Sequence, residues 1–115
     1  MTLHLFGIKA CDTMKKARVF LDERAVAYVF HDYKVEGVTA ERLGEWAAKV
    51  GWERLLNRAG TTFRKLPETD RADLDEAKAI ALMVAQPSMI KRPVLTRGEE
   101  VLVGFRPEEW TRLLG

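Results

Sequence analysis

The only cysteine of the chain, Cys11, lies in FGIKACDTMKKARVFLDE (6–23), where an apolar strand pattern gives way to a helical one. Lys15 and Lys16 stand near the start of that helix, although a helix N-terminus already carries about half a unit of positive charge. We interpret the helix terminus and the lysines as a positive environment that lowers the Cys11 thiol pKa from its usual value of about 8.5. Asp12 opposes this effect. The alternative is a buried, inert thiol, which is common for free cysteine.

Three further segments carry arginines that could hold an anion. Arg92 lies in IKRP, Arg106 lies in GFRPEE, and Arg58 lies with Arg64 and Lys65 around a Gly-Thr-Thr turn. A guanidinium at such a place can fork onto an oxyanion or stabilise a thiolate. The alternative for each arginine is a solvated surface charge.

Other residue types give no catalytic pattern. His4 and His31 lie on strand patterns with no second ligand at metal spacing, so we predict a structural role for both and no metal site. Trp46, Trp52 and Trp110 lie on apolar helix faces and are predicted to be core residues. No phosphate-binding glycine loop and no serine–histidine pattern is evident.

Composition restricts the class of protein. The chain has 115 residues, which fits one domain, and its net charge of +2 is too small to indicate a nucleic-acid partner. No apolar run approaches the roughly 20 residues of a membrane span, and the first residues do not resemble a signal peptide. A single cysteine cannot form an internal disulfide, so we expect a reducing cytoplasm.

The elements that must position these residues begin with a β-α-β pattern. TLHLFGI and VAYVFHDYK are typical of strands, and the helix between them is predicted to start at a Thr13 cap and to end near Arg24. A helix between two strands predicts that they are parallel. Gly37 ends the second strand pattern.

Residues 39–86 are predominantly helical in pattern. One apolar face comprises Leu43, Trp46, Ala47 and Val50. WERLLNRAG predicts a short helix ended by Gly60, and DLDEAKAIALMVAQ predicts a helix capped by Asp73 with Glu76 three residues later.

The remaining residues predict a β-hairpin, PVLT and VLVGF around RGEE, and a last helix with Pro107 in its first turn. The order β-α-β, helical stretch, β-β-α is the thioredoxin-like arrangement, an α/β fold with a helical insertion. We assign residues 1–36 and 88–115 to the core and 37–87 to the insertion of a single domain. Such folds place a cis-proline opposite the reactive cysteine. We therefore predict a cis Arg92–Pro93 bond, with Arg92 facing Cys11.

Five segments then carry a family resemblance. GIKACDTMKKAR, FHDYKVEG, GWERLLNRAGTTFRKL, MIKRPVL and GFRPEEW together resemble the ArsC/Spx family, and above all its YffB-like branch, between Leu3 and about Leu114. In the arsenate reductases of this family a first-loop cysteine attacks arsenate and three arginines hold the oxyanion. Cys11 matches that cysteine, and Arg92 and Arg106 match the second and third arginines.

The sequence departs from the family pattern in two places. The first arginine normally follows a Leu-Leu pair directly, but here Asn57 does and Arg58 comes one residue later. Arsenate recognition is therefore predicted to be poor. Spx regulators often carry Cys-X-X-Cys, whereas Met14 stands at the second cysteine position here, which excludes an internal redox switch of that type.

The resemblance implies an oxidoreductase, namely a single-cysteine thiol reductase that uses glutathione as co-substrate. An external thiol is needed because a lone thiolate cannot resolve its own mixed disulfide. Lys9, Lys15, Arg92 and Arg106 are expected partners for the carboxylates of glutathione. No bound cofactor is expected, glutaredoxin is a further possible partner, and the chain is expected to be a monomer. The alternatives left open are an arsenate reductase proper and a non-catalytic, Spx-like regulator that docks on a protein such as RNA polymerase.

Overall fold

The computed structural model describes residues 1–115 and contains a four-stranded sheet with eight α-helices. The strands are β1 (Leu3–Gly7), β2 (Val29–Asp32), β3 (Val94–Arg97) and β4 (Glu100–Val103). The helices are α1 (Asp12–Glu23), α2 (Tyr33–Glu36), α3 (Ala40–Val50), α4 (Trp52–Leu55), α5 (Thr61–Arg64), α6 (Glu68–Arg71), α7 (Glu76–Ala85) and α8 (Pro107–Leu114), with a 3-10 helix at Pro87–Met89.

The chain divides into two compact units, one formed by Met1–Glu36 with Arg92–Gly115 and the other by Gly37–Lys91. The first unit contains the whole sheet, in the order β2-β1-β3-β4. β1 pairs with β2 in parallel, as predicted, and with β3 antiparallel, and β3 and β4 form an antiparallel hairpin. This β-α-β and β-β-α order confirms the predicted thioredoxin-like fold class.

The core of the first unit lies between one face of the sheet and helices α1 and α8. Leu5, Leu95, Met14, Leu21 and Trp110 are fully buried there. Full burial of one such side chain contributes about 1.5–3 kcal/mol relative to exposure. The Trp110 indole N–H also donates to the carbonyl of Gly104 at 3.2 Å, which fixes the start of α8 against the end of β4.

The second unit is built from capped helices. The Thr39 hydroxyl accepts from the Arg42 N–H at 3.1 Å at the start of α3, and the Asp75 carboxylate accepts from the Lys78 N–H at 2.8 Å at the start of α7. An isolated antiparallel bridge joins Leu56 to Ile90. These local bonds satisfy helix-terminal N–H groups that would otherwise need water.

Three helix boundaries that we predicted are wrong. Thr13 does not cap α1, because the helix begins two residues earlier than predicted, at Asp12, and Cys11 is the N-cap. Gly60 does not end a helix: α4 ends at Leu55, and Gly60 is instead the N-cap of α5. Asp73 does not cap α7, since it adopts a left-handed conformation with φ 51° and Asp75 takes the cap position.

The second strand is shorter than predicted. β2 ends at Asp32, where the carboxylate accepts from the Lys34 N–H at 2.9 Å and turns the chain into α2. Side-chain bonds of this kind are the usual reason for aspartate in turns. Trp46 and Trp110 are buried as predicted, but Trp52 is only partly buried.

The hairpin and the last helix agree with the sequence prediction. Arg97 pairs with Glu100, so the turn is Gly98-Glu99, with Gly98 at φ 60°. Pro107 occupies the first turn of α8. Among the helices, none has the length and apolar character needed to cross a membrane.

Candidate functional site

Close packing between Gly7 and Met14 determines where the cysteine lies. Gly7 ends β1, and a Cβ atom at this position would collide with the Met14 side chain, which is fully buried in the first turn of α1. The turn between them is tied by the Cys11 N–H, which donates to the carbonyl of Ile8 at 3.2 Å. Only glycine therefore allows α1 to start this close to the end of β1.

Cys11 is the N-cap residue of α1 and its side chain is partly buried. Its carbonyl accepts the first helical hydrogen bond, from the Lys15 N–H at 3.1 Å, so the sulfur stands beside the free N–H groups of the first turn. Backbone N–H groups at this end of a helix stabilise an anion. The sequence predicted that the helix terminus would act on the Cys11 thiol, but it placed the cap at Thr13 and not at Cys11 itself.

The electrostatic balance at the sulfur favours the thiolate. Burial raises the pKa of the Cys11 thiol, but the Met14 N–H, a hydrogen bond from the Arg92 side chain, the Thr13 N–H and the Arg92 charge all lower it. Their combined effect outweighs burial, so this pKa lies below its ordinary value. The Cys11 side chain forms no capping hydrogen bond at the start of α1, while the Met14 and Thr13 N–H groups lower the pKa of its thiol.

Arg92 reaches Cys11 from the loop that precedes β3. The Arg92–Pro93 peptide bond is cis and the Pro93 side chain is buried, with its carbonyl accepting from the Gly104 N–H at 2.8 Å. The Arg92 side chain lies near enough to the Cys11 sulfur to lower the pKa of the thiol through hydrogen bonding and through its charge. Both the cis bond and the approach of Arg92 to the cysteine were predicted and are confirmed.

The lysines do not act as predicted. Lys9, Lys15 and Lys16 are all exposed, and none is among the groups that shift the pKa of Cys11. An exposed ammonium is strongly screened by water, whereas the Arg92 guanidinium and the helix N–H groups contact the sulfur directly. The thiolate is therefore stabilised by backbone and arginine, and the lysines remain available to other ligands.

The other two predicted arginines have partners of their own. Arg106 is exposed at the N-cap of α8, and its Nε lies 3.6 Å from Oε2 of Glu109. In the second unit, the guanidinium of Arg58 lies 5.3 Å from the centre of the Trp52 ring. Neither arginine contributes to the pKa shift of Cys11.

The two histidines contact each other across the sheet. His4 Nδ1 and His31 Nε2 are 2.9 Å apart, His31 Nδ1 lies 2.9 Å from Oε1 of Glu36, and Phe6 stacks on His31 at 4.4 Å. Nowhere do three histidine, cysteine or carboxylate side chains lie close enough together to hold a metal ion. The structural role of both histidines stays a prediction.

Comparison with known protein families identifies the chain. The model of the ArsC family matches residues 6–113. The chain belongs to the ArsC family. This match includes Cys11, Arg92 and Arg106, so the predicted resemblance is confirmed.

Solved structures of ArsC-related proteins are similar over nearly the whole chain. A YffB protein is 64% identical, with a TM-score of 0.97 and coverage of 99% of this chain and 100% of its own. An arsenate reductase (ArsC) related protein of Brucella melitensis is 54% identical, with a TM-score of 0.79 and coverage of 99% and 95%.

Curated relatives extend to regulators. The global transcriptional regulator Spx 1 of Lactococcus lactis is 24% identical over 110 residues, which are 93% of this chain and 84% of that protein. The ArsC family assignment and the arsenate reductase-related neighbours support a redox enzyme in general, while the Spx relatives show that some similar proteins are regulators.

Proposed function

We propose that the protein is a thiol–disulfide oxidoreductase in which Cys11 is the nucleophile and glutathione is the thiol co-substrate. The observation that carries this proposal is the contact between Cys11 and Arg92 at the N-terminus of α1. A thiolate is the reactive form of cysteine, and a lowered pKa increases its population at neutral pH.

The proposed reaction has two exchange steps. The Cys11 thiolate attacks the glutathione sulfur of a mixed disulfide, so that a Cys11–glutathione disulfide forms, the original S–S bond breaks and the substrate leaves as a thiolate. A second glutathione thiolate then attacks that glutathione sulfur, which releases Cys11 as a thiolate and yields oxidised glutathione. In net terms one free glutathione is consumed: its sulfur enters oxidised glutathione together with the glutathionyl group of the mixed disulfide, the substrate sulfur is released as a thiol, and no bound cofactor is required.

Dependence on an external thiol follows from the count of cysteines. The chain has one cysteine, so a disulfide at Cys11 has no intramolecular thiol to resolve it. Glutathione also carries two carboxylates, and we propose the exposed residues Lys9, Lys15 and Arg106 as their partners. A glutaredoxin could replace the second glutathione, and the proposed acting species is a monomer.

Arsenate reduction proper is less well supported than disulfide exchange. The residue directly after Leu56 is Asn57, whose backbone N–H donates to the carbonyl of Met89 at 2.7 Å. The adjacent Arg58 lies over the Trp52 ring. An asparagine cannot supply the charged, forked contact that a guanidinium gives to an oxyanion.

A second candidate function is protein docking without catalysis, and the observation in its favour is the similarity to Spx 1. The state of the thiol separates the two functions. A docking protein has no need of a reactive thiolate, whereas the reductase requires Cys11 to exchange with a disulfide at neutral pH.

The experiment that tests the proposed function is mixed-disulfide formation with oxidised glutathione. The reduced protein is incubated at neutral pH with oxidised glutathione and its intact mass is recorded over time, with a Cys11→Ser variant as the control. We expect one glutathionyl adduct on the wild type, its removal by reduced glutathione, and no adduct on the variant. A wild-type protein that stays unmodified while a small model thiol reacts would contradict the reductase and favour the docking protein.

A further inference from the structure

A groove of about 380 Å³ lies along α1, apart from the Cys11 site. We call it the α1 groove, and its lining residues are Lys15, Lys16, Val19, Phe20, Glu23, Arg24 and Phe105. Its floor is apolar: Phe20 and Phe105 meet edge to face with ring centres 5.5 Å apart. Val19 lines one side of the groove and is 52% exposed.

The α1 groove continues the row of side chains that starts at the thiol. Residues four apart on a helix lie above one another, so Lys15, Val19 and Glu23 follow Cys11 along one row. Lys16, Phe20 and Arg24 form the neighbouring row. A molecule that extends from the Cys11 sulfur along α1 therefore passes directly into this groove.

The charge on the groove's edge is mostly positive. Lys15, Lys16 and Arg24 provide three cations against the single carboxylate of Glu23. Arg24 is held in position, because its guanidinium lies 3.5 Å from the centre of the Phe20 ring and donates to the Phe20 carbonyl at 3.1 Å. Cations around an apolar floor are complementary to an apolar side chain flanked by carboxylates.

Distance decides what kind of ligand fills the groove. Phe20 comes nine residues after Cys11, which corresponds to about 13 Å along the helix at 1.5 Å per residue. Glutathione has one residue on each side of its cysteine and reaches roughly 7 Å from the sulfur, which is enough for Lys15 but not for Phe20. An extended polypeptide rises about 3.3 Å per residue and reaches Phe20 in about four residues.

We propose that the α1 groove selects protein substrates, namely acidic polypeptide segments that carry an apolar side chain about four residues from a disulfide-bonded cysteine. This inference rests on the proposed function, since it supplies the substrate class for the exchange at Cys11. Glutathione then serves as the small partner near the sulfur, and the groove determines which polypeptide is reduced.

The test uses three synthetic peptides, each with a central cysteine in a disulfide with glutathione. The first has a leucine four residues to each side, flanked by aspartates. The second replaces the aspartates by lysines, and the third replaces the leucines by serines. The measured quantity is the rate at which each protein releases the peptide thiol in the presence of reduced glutathione. It is divided by the rate at which the same protein forms an adduct with oxidised glutathione, so that differences in Cys11 reactivity cancel.

We expect the acidic leucine peptide to react about tenfold faster or more than the basic one, as electrostatic attraction typically provides. The serine peptide should be intermediate. Lys16→Glu should bring the rate ratio of the acidic to the basic peptide toward one. Val19→Ser should bring the rate ratio of the leucine to the serine peptide toward one. Lys34→Glu makes the same charge change at an exposed lysine of α2 outside the groove and should preserve the preference.

A binding measurement separates failure of the groove from failure of the thiol chemistry. The acidic leucine peptide, labelled with a fluorophore and with serine at its cysteine, is titrated against Cys11→Ser protein. We expect saturable binding that Lys16→Glu weakens and Lys34→Glu does not. Equal rates for the three peptides, or binding that Lys16→Glu does not weaken, would contradict the proposal that the α1 groove selects the substrate. The exchange with oxidised glutathione would remain as separate evidence for the reductase.

Discussion

Arg92, in the loop before β3, approaches the sulfur of Cys11 at the N-cap of α1, and it lowers the pKa of this thiol through hydrogen bonding and through its charge. It acts together with the N–H groups of Met14 and Thr13, so the thiolate has a cation on one side and helix donors on the other. The two parts of this environment can be removed separately.

The helix donors depend on the packing of Gly7 against Met14. We predict that Gly7→Ala forces Met14 away and displaces the first turn of α1, which destabilises the protein by about 1–3 kcal/mol, as overpacking commonly does. The same displacement should raise the pKa of Cys11. Urea unfolding and the pH dependence of alkylation measure the two effects.

Gly44→Ala is the matched control for Gly7→Ala. Gly44 lies inside α3 and an added Cβ would meet nothing within 4 Å. Alanine there should stabilise by about 0.5–1 kcal/mol through helix propensity and leave the thiol unchanged. If both alanine variants behave alike, the contact between Gly7 and Met14 does not determine the position of α1.

Arsenate turnover tests the departure at Asn57. We predict weak or absent arsenate reduction with glutathione and glutaredoxin supplied, because a missing charged hydrogen bond to an oxyanion costs about 1.5–3 kcal/mol. An NADPH-coupled assay measures this, with an arsenate reductase of the family as the positive control. Robust turnover by the wild type would show that Asn57 does not impair oxyanion binding.

The pH dependence of stability follows from the direction of the Cys11 shift. The pKa of this thiol is lower in the folded than in the unfolded chain, so the unfolded state binds more protons between the two values. The stabilisation is therefore present above the unfolded thiol pKa of about 8.5 and is lost as pH falls through the folded pKa. Relative to Cys11→Ser, the free energy of unfolding of the wild type should increase with pH across this window.

Urea unfolding of both proteins under reducing conditions at several pH values provides the comparison. The Cys11→Ser variant removes the titrating group but keeps a small polar side chain at the N-cap. A difference in unfolding free energy that stays constant with pH, or falls as pH rises, would be inconsistent with a stabilised thiolate.

The fold was predictable because its main signals are local. The strand pattern of β1, the apolar face of α1 and the hairpin turn at Gly98 each follow from a short stretch of sequence. The exact starts of α1 and α7 were not predictable, because Thr13 and Asp73 are good capping residues that lie two positions from the actual N-caps, Cys11 and Asp75. In α7, the choice of Asp75 depends on the backbone turn at Asp73, which a residue-type rule does not contain.

The site was predictable only in part. The position of Cys11 after the first strand, and the thioredoxin-like element order, indicated the contact with Arg92. The sequence does not show which cations reach the sulfur, so Lys15 and Lys16 were predicted to lower the thiol pKa together with the helix terminus, whereas the groups that lower it are Arg92 and the backbone N–H groups. Similarly, the α1 groove depends on Phe20 and Phe105, which are distant in sequence.

The most direct test of the central claim is the pH dependence of Cys11 alkylation by iodoacetamide, measured on the wild type and on Arg92→Ala. Arg112→Ala, an exposed arginine of α8, is the control. The account predicts a wild-type midpoint below the free thiol value of about 8.5, a higher midpoint and slower mixed-disulfide formation for Arg92→Ala, and no change for Arg112→Ala. A wild-type midpoint at or above 8.5, or an Arg92→Ala variant with unchanged thiol reactivity, would contradict it.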